Sequence, residues 1–580
     1  MFIEIRKKKG IDYFYLRENK SINGKSVCVF QKYIGNKHKL VEAIQNGLNL
    51  ESKIPILPDE TICLNFGAVA TLHAIAQKVN IFKIIDATIK KRKQGMPVST
   101  YLIVAAINRV IRAKSKRATS EWVSKTSLPS LITNIELDKL TSQSFWDNMD
   151  IITDVNIREI ENEITKKTVE LYNLNPKALL YDTSNYFSFI HTFNSRSTTE
   201  QRGKNKQHRY DLRQSNFALM VTEDDHIPLY HRVYDGNEND YSSFKQSILD
   251  MKAKRDDLFS NDKDITLVFD AGNVSEDNMK LVDTYKFKFI SKLKPSAHID
   301  LLKIDLDEYT KYNLDDSRQE DKEQKWVKLY KTNKIIYGSE KLVVLKYNPI
   351  FFEAERLTVD RHVKEVRAKF LELERRLNKY IKNNKLPSGV KESSVENNIK
   401  SILKGRVYLK KIIKYQIILK DEKFPIIKWS ITKKDVDIYC NTYLGKTVYF
   451  TNKLKLSAEE IMKIYSYQIK VEDLFKISKD RDGGCWWPKF HWTDQKIKVH
   501  GLYCFISLLL LSLLKKELSS LKINNEIHDV IEQLHGINEV IDSYKNKKDK
   551  AHILRRYSKL SDKQKIIFKH FNLKKYFTNN

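Results

Sequence analysis

Two aspartates and a glutamate stand where an oxygen-ligated metal centre would need them. Asp182 closes the apolar run ALLYD and Asp270 closes ITLVFD, so each carboxylate is delivered at the tip of a buried strand. Glu472 lies in YSYQIKVEDLFKISKD, a stretch with helical periodicity. At 100° per residue, Tyr465, Gln468, Glu472 and Lys479 fall within one arc of about 60°, with Lys476 beside it. One stripe therefore joins a metal-capable acid to two lysines and a hydroxyl-bearing aromatic. Two unpaired carboxylates brought together repel unless a cation lies between them. Hard oxygen donors suit Mg²⁺, which keeps several waters and accepts phosphate oxygens as further ligands. Two such ions, roughly 3.5–4 Å apart, would activate a water or 3′-hydroxyl for in-line displacement at phosphorus. Taken alone, an acid ending a strand is a turn or helix-cap residue, and a polar stripe is a solvated face. The order of the three acids is what favours the chemical reading.

For the two aspartates to meet, their strands must be neighbours. From residue 178 the chain reads as three strands (ALLYDTSNYFSF, SNFALMVT, IPLYHRVY), then as helix and strand in alternation through ITLVFD and FKFISKL. That order predicts a ribonuclease-H-like α/β core, with its first and fourth strands side by side. Ser457 and Glu460 in SAEE form a capping box that starts the helix bringing Glu472 to the sheet. The core is expected in two parts, 176–298 and 446–520. Between them, 299–445 reads as a β-rich insertion around a long charged helix, RLTVDRHVKEVRAKFLELERRLNKYIKNN. Residues 1–60 read as a small β-rich module and 521–580 as a basic helical tail. Residues 61–175 read as a helical region. Its Arg109, Arg112, Lys114, Lys116 and Arg117 are either DNA contacts or the basic surface of a bundle.

The net charge of +30 over 580 residues makes nucleic acid the first partner to consider, since such an excess attracts polyanions. The five cysteines, Cys28, Cys63, Cys440, Cys485 and Cys504, include no CxxC pair, which argues against a disulfide framework and a structural zinc site. The start, MFIEIRKKKG, lacks a signal-peptide core. The longest apolar run, LYCFISLLLLSLL, is too short to span a bilayer and reads as a buried helix. A cytoplasmic protein with no membrane partner is expected.

The same residues resemble bacterial insertion-sequence transposases of the DDE type, the IS-four-like superfamily. That group carries Tyr-x2-Arg-x3-Glu-x6-Lys around its catalytic glutamate; this chain has Tyr465-x2-Gln468-x3-Glu472-x6-Lys479. YDTSNYF and FDAGNVSEDN are similar to its aspartate segments. GKNKQHRYDLRQ, YDGNENDYSSF and FHWTDQKIKVHG are similar to further segments of a long-chained branch. The resemblance runs over about residues 1–515. It implies that Asp182, Asp270 and Glu472 are the catalytic, metal-binding triad, holding two Mg²⁺ ions with Mn²⁺ able to substitute. It implies that Tyr465 and Lys479 contact phosphates of the DNA end, in a homodimeric complex on double-stranded DNA that excises and integrates a mobile element at the nucleoid of a bacterium. Gln468 departs from the pattern, because a neutral amide replaces a permanently charged fork; Lys476 is the candidate to take over. Trp486 and Trp487 are candidates to stack an extruded base, or form a core plug. His208, Arg209 and His491 are further candidates to line the site. Two rivals stay open: a nuclease that only cuts, and a catalytically silent DNA-binding protein.

Overall fold

The computed structural model describes residues 2–22, 25–45, 57–133, 135–205, 207–259, 264–313, 326–480, 485–523, 526–545 and 551–577. The first strands, β1 (Phe2–Lys8), β2 (Ile11–Ile22) and β3 (Lys25–Asn36), form an antiparallel meander, and β4 (Glu60–Asn65) follows. Residues 1–63 form one compact unit with 540–556; residues 64–539 and 557–580 form the other.

The second unit is mixed α/β and centres on a nine-stranded sheet. Its strands are β5 (Ala178–Ser188), β6 (Arg213–Thr222), β7 (Pro228–Asp235), β8 (Thr266–Phe269), β9 (Lys288–Lys292), β10 (Thr310–Asn313), β11 (Trp326–Ile336), β12 (Ser339–Tyr347) and β15 (Lys446–Thr451). They lie in the order β10-β11-β12-β15-β9-β8-β5-β6-β7. β5 pairs antiparallel with β6 and β6 with β7, whereas β8 runs parallel to both β5 and β9. The first and fourth core strands are thus neighbours, as the order of apolar runs requires.

TLVF in β8 and ALLY in β5 are buried throughout, because helices cover both faces of a parallel pair. On one face, helix Asp240–Leu258 packs Phe244 against Tyr181 and Phe269, with ring centroids 5.2 and 4.8 Å apart. Alternation along β5 sends Asp182, Ser184 and Tyr186 to the other face. There, Tyr186 meets Trp486 and Phe217 at 4.5 and 6.0 Å. Helix Asp494–Ser520 holds that side and carries the long apolar run. By length and composition it could cross a membrane, yet it is buried, stacking Phe505 on His231 of β7 at 4.9 Å.

Three expectations are altered. WVKLYKT and KLVVLKY, read as part of the insertion, form β11 and β12 and extend the central sheet through β15. Period-two patterning marks a half-buried strand without saying which sheet takes it. What leaves the sheet is 348–445: helices Pro349–Lys382, Glu392–Ile402 and Lys433–Tyr443 with the hairpin β13 (Lys414–Lys420) and β14 (Phe424–Ser430). These share their own core around Val366, Phe370, Ile399 and Ile412. The region 61–175 does not close on itself, because helices Gly67–Lys78 and Val98–Ile111 bury against helix Asp494–Ser520 in the main core. The tail, expected to be helical, contains two strands, β16 (Asn538–Lys545) and β17 (Ala551–Tyr557), in a sheet of order β17-β16-β4; a helix, Asp562–His570, follows. The tail's lysine-rich 546–550 lies outside the described residues.

Candidate active site

Leu180 of β5 stands opposite Val268 of β8, so Asp182 and Asp270 each lie two positions past the last paired residues. Parallel strands in this register bring both carboxylates out at the same level. The Thr183 N–H donates to Asp182 Oδ1 at 2.8 Å. The Tyr465 hydroxyl donates to Asp270 Oδ1 at 3.0 Å. Burial, and then the Asp270 carboxylate beside it, push the Tyr465 hydroxyl well above its ordinary pKa, so it remains a donor at any working pH.

The expected helix through Glu472 is two helices, Ala458–Ser466 and Gln468–Lys479. The capping box forms: Ser457 accepts from the Glu460 N–H, and Glu460 accepts from the Ser457 N–H. The break near Tyr467 changes the stripe. Tyr465 and Gln468 are buried, whereas Glu472 and Lys476 are exposed. Gln468 does not face solvent; its Nε2 donates to the Tyr181 carbonyl at 2.8 Å and pins the helix to β5 one residue before Asp182. Gln468→Ala is expected to cost about 1–3 kcal/mol of stability, the penalty of an unmade buried hydrogen bond. Thermal unfolding checks this, and an unchanged midpoint would count against the pinning role.

The second helix runs alongside β5. Lys479 Nζ donates to Ser184 Oγ at 2.5 Å, and Ser478 hydrogen-bonds Tyr186. Glu472 lies one turn beyond Gln468 on the same helix. Among the described residues, however, no group of three or more His, Cys, Asp or Glu gathers closely enough to hold a metal ion. The sheet brings the two aspartates out side by side, while Glu472 is exposed on helix Gln468–Lys479.

The other candidates divide sharply. Lys476 is exposed and pairs with Asp473 at 2.8 Å. Trp486 is fully buried between Tyr186, Phe217 and His500; it is a core plug and offers no open face. Trp487 is half-buried near Phe189. His208 bonds the Tyr210 hydroxyl at 3.0 Å, and Arg209 grips Asp211 with two 2.8 Å bonds; both are exposed, on the loop before β6. His491 is buried beside His500 and Tyr503. Gly483 and Gly484, before the tryptophans, lie outside the described residues.

Two residues that the sequence did not single out adjoin the aspartates. Lys292, at the end of β9, places its ammonium 4.5 Å from the centre of the Tyr465 ring. Burial and this cation lower the pKa of Lys346 on β12. Asp240 accepts from Thr183 Oγ1 at 3.1 Å and lies 3.6 Å from where a side chain on Gly272 would begin, just past Asp270. Each ends or begins an element beside a strand tip, and that placement was the only signal available. The site thus carries two adjacent acids with cations on either side, an arrangement suited to a divalent cation and the phosphates it would share.

Residues 188–510 match the family described as the transposase DDE domain. No curated protein matches the chain. A solved structure of the piggyBac transposase synaptic complex with hairpin DNA is similar at 9% identity and a TM-score of 0.34, covering 81% of this chain and 78% of that one.

Proposed function

Because the chain belongs to the transposase DDE domain family, whose chemistry is DNA cleavage and strand transfer, we propose that it is a cut-and-paste transposase acting on the terminal inverted repeats of a mobile element. The observation that carries this reading is the pairing of Asp182 with Asp270 at the tips of two parallel neighbouring strands. The order β7-β6-β5-β8-β9, antiparallel then parallel, supports a ribonuclease-H-like core.

The donor set fits a hard divalent cation, Mg²⁺ or Mn²⁺, because Asp182, Asp270 and Glu472 offer oxygen alone. When bound, such a cation would supply Lewis-acid polarisation of a phosphodiester oxygen and lower the pKa of water. Tyr465 fixes the Asp270 carboxylate by donating to it, and Gln468 fixes the helix that carries Glu472. Lys479 and Lys292 supply positive charge on opposite flanks, where the phosphates of a DNA end would run. Double-stranded DNA is the partner, and a homodimer on paired element ends is the working assembly. The 348–445 excursion and the 1–60 strands are proposed as separate insertion and N-terminal modules.

Incubating the protein with linear DNA carrying the element ends and Mg²⁺ tests this reading. Cleaved ends and joined products in target DNA are expected. Cutting without joining would leave a nuclease; binding without cutting would leave a DNA-binding protein.

A further inference from the structure

Outside the aspartate site, a cavity of about 280 Å³ lies between the end of helix Val98–Ile111, helix Ser142–Asp150 and the loop around Pro488–Trp492. Two of its lining residues are cations, Arg109 taken out of water and Lys116 half-buried. Arg109 is only 2% exposed; one nitrogen, Nη2, donates to the Pro488 carbonyl at 2.7 Å, while Nε and Nη1 have no hydrogen-bond partner among the described residues. Lys116 lies over the rings of Tyr503 and Phe145, at 4.1 and 5.1 Å, and forms no ion pair among the described residues. The nearby acids are already taken: Glu200 pairs with the buried Lys489, and Asp150 with Lys496. His491, at the same cavity, has no partner for its Nδ1 among the described residues.

An uncompensated buried charge is expensive, and buried ions are normally paired or bound to a counter-charge. Burial and the neighbouring Arg109 push the Lys116 ammonium toward losing its proton, a penalty that an anion in the cavity would lift. Trp146 and Trp492, with ring centroids 4.8 Å apart, give the cavity apolar walls beside these cations. Cations for phosphate beside aromatic surface are the usual means of holding a nucleic-acid strand.

We infer that this cavity is a second DNA contact, in which Lys116 and Arg109 hold a backbone phosphate of the bound strand. The inference rests on the DNA-binding reading above. It replaces a surface role for the basic helix end with an internal one.

The test is equilibrium binding of a fluorescent duplex across a salt series. One lost phosphate contact makes the slope of log K against log salt shallower by about 0.9. Lys116→Met is expected to show that change together with a loss in affinity of about tenfold, the size of one charge-assisted bond. Lys116→Arg should restore the slope. The thermal midpoint of free Lys116→Met should be unchanged or higher, because a half-buried charge with no ion pair among the described residues is replaced by an apolar side chain; a purely structural lysine would lower it. An unchanged slope in folded Lys116→Met overturns the inference while leaving the transposase reading standing. Wild-type protein that binds no DNA overturns both. Tryptophan fluorescence titrated with inorganic phosphate separates the sources of the anion: binding as tight as that of the duplex would make this a small-anion site and overturn the strand assignment.

Discussion

Asp182→Asn and Asp270→Asn are each expected to lower metal-dependent DNA cleavage by about 10³-fold or more while leaving the chain folded. A metal ion polarising phosphoryl oxygens contributes several kcal/mol, and each 1.36 kcal/mol is about tenfold in rate. Asparagine keeps the shape and one oxygen of the side chain but removes the charge that holds the cation. Without metal, stability should not fall. The two carboxylates share one level of the sheet, and removing one relieves their mutual repulsion. Gel assays of end cleavage beside thermal melts in chelator read both arms. A variant with full cleavage would remove that aspartate from the metal centre, and a collapsed melt would make its role structural. Tyr465→Phe should fall between, because it loses the donor that orients Asp270 and keeps the ring under Lys292.

The protein is expected to lose stability steeply as the pH falls from about 6.5 toward 4. Burial lowers the pKa of His73 and His226 from 6.5 to about 4, and it also depresses His231, His491 and His500. A folded chain that keeps these rings neutral binds fewer protons than the unfolded chain, so acid favours unfolding. The stabilisation is whole above about 6.5 and is lost through the folded values. For His73 and His226 it amounts to about 3 kcal/mol each, from a shift of about 2.5 units at 1.36 kcal/mol per unit. Glu161 works in the same direction lower on the scale. Buried against Lys254, His231 and Arg158, it is held well below the usual carboxylate range, so its contribution fades only below about pH 4.5. Melting curves between pH 7.5 and 4.5 measure the effect. His73→Leu combined with His226→Asn should flatten them, and a midpoint independent of pH in the parent chain would refute the account.

The adjacency of β5 and β8 was readable from sequence because three successive strands precede an alternation of helix and strand. The capping box at Ser457 was equally plain, since its chemistry is local. Where the reading failed, the deciding contact was distant in sequence. The inward turn of Gln468 depends on the Tyr181 carbonyl, 287 residues away, and that of Arg109 on the Pro488 carbonyl, 379 away. Helical periodicity spaces side chains around an axis but does not say which arc meets a neighbour. Trp486 was offered two roles from sequence; Tyr186, Phe217 and His500 close around it and leave one.

The excursion 348–445 leaves from Tyr347 and returns at Lys446, and these two residues are direct partners across the antiparallel pair β12 and β15. Entrance and exit therefore coincide, and the nearly hundred residues between them have their own apolar interior. In effect this is an overgrown hairpin turn. A turn can be lengthened, shortened or exchanged at little entropic cost to the strands it joins. Evolution could therefore refit this segment without moving either aspartate.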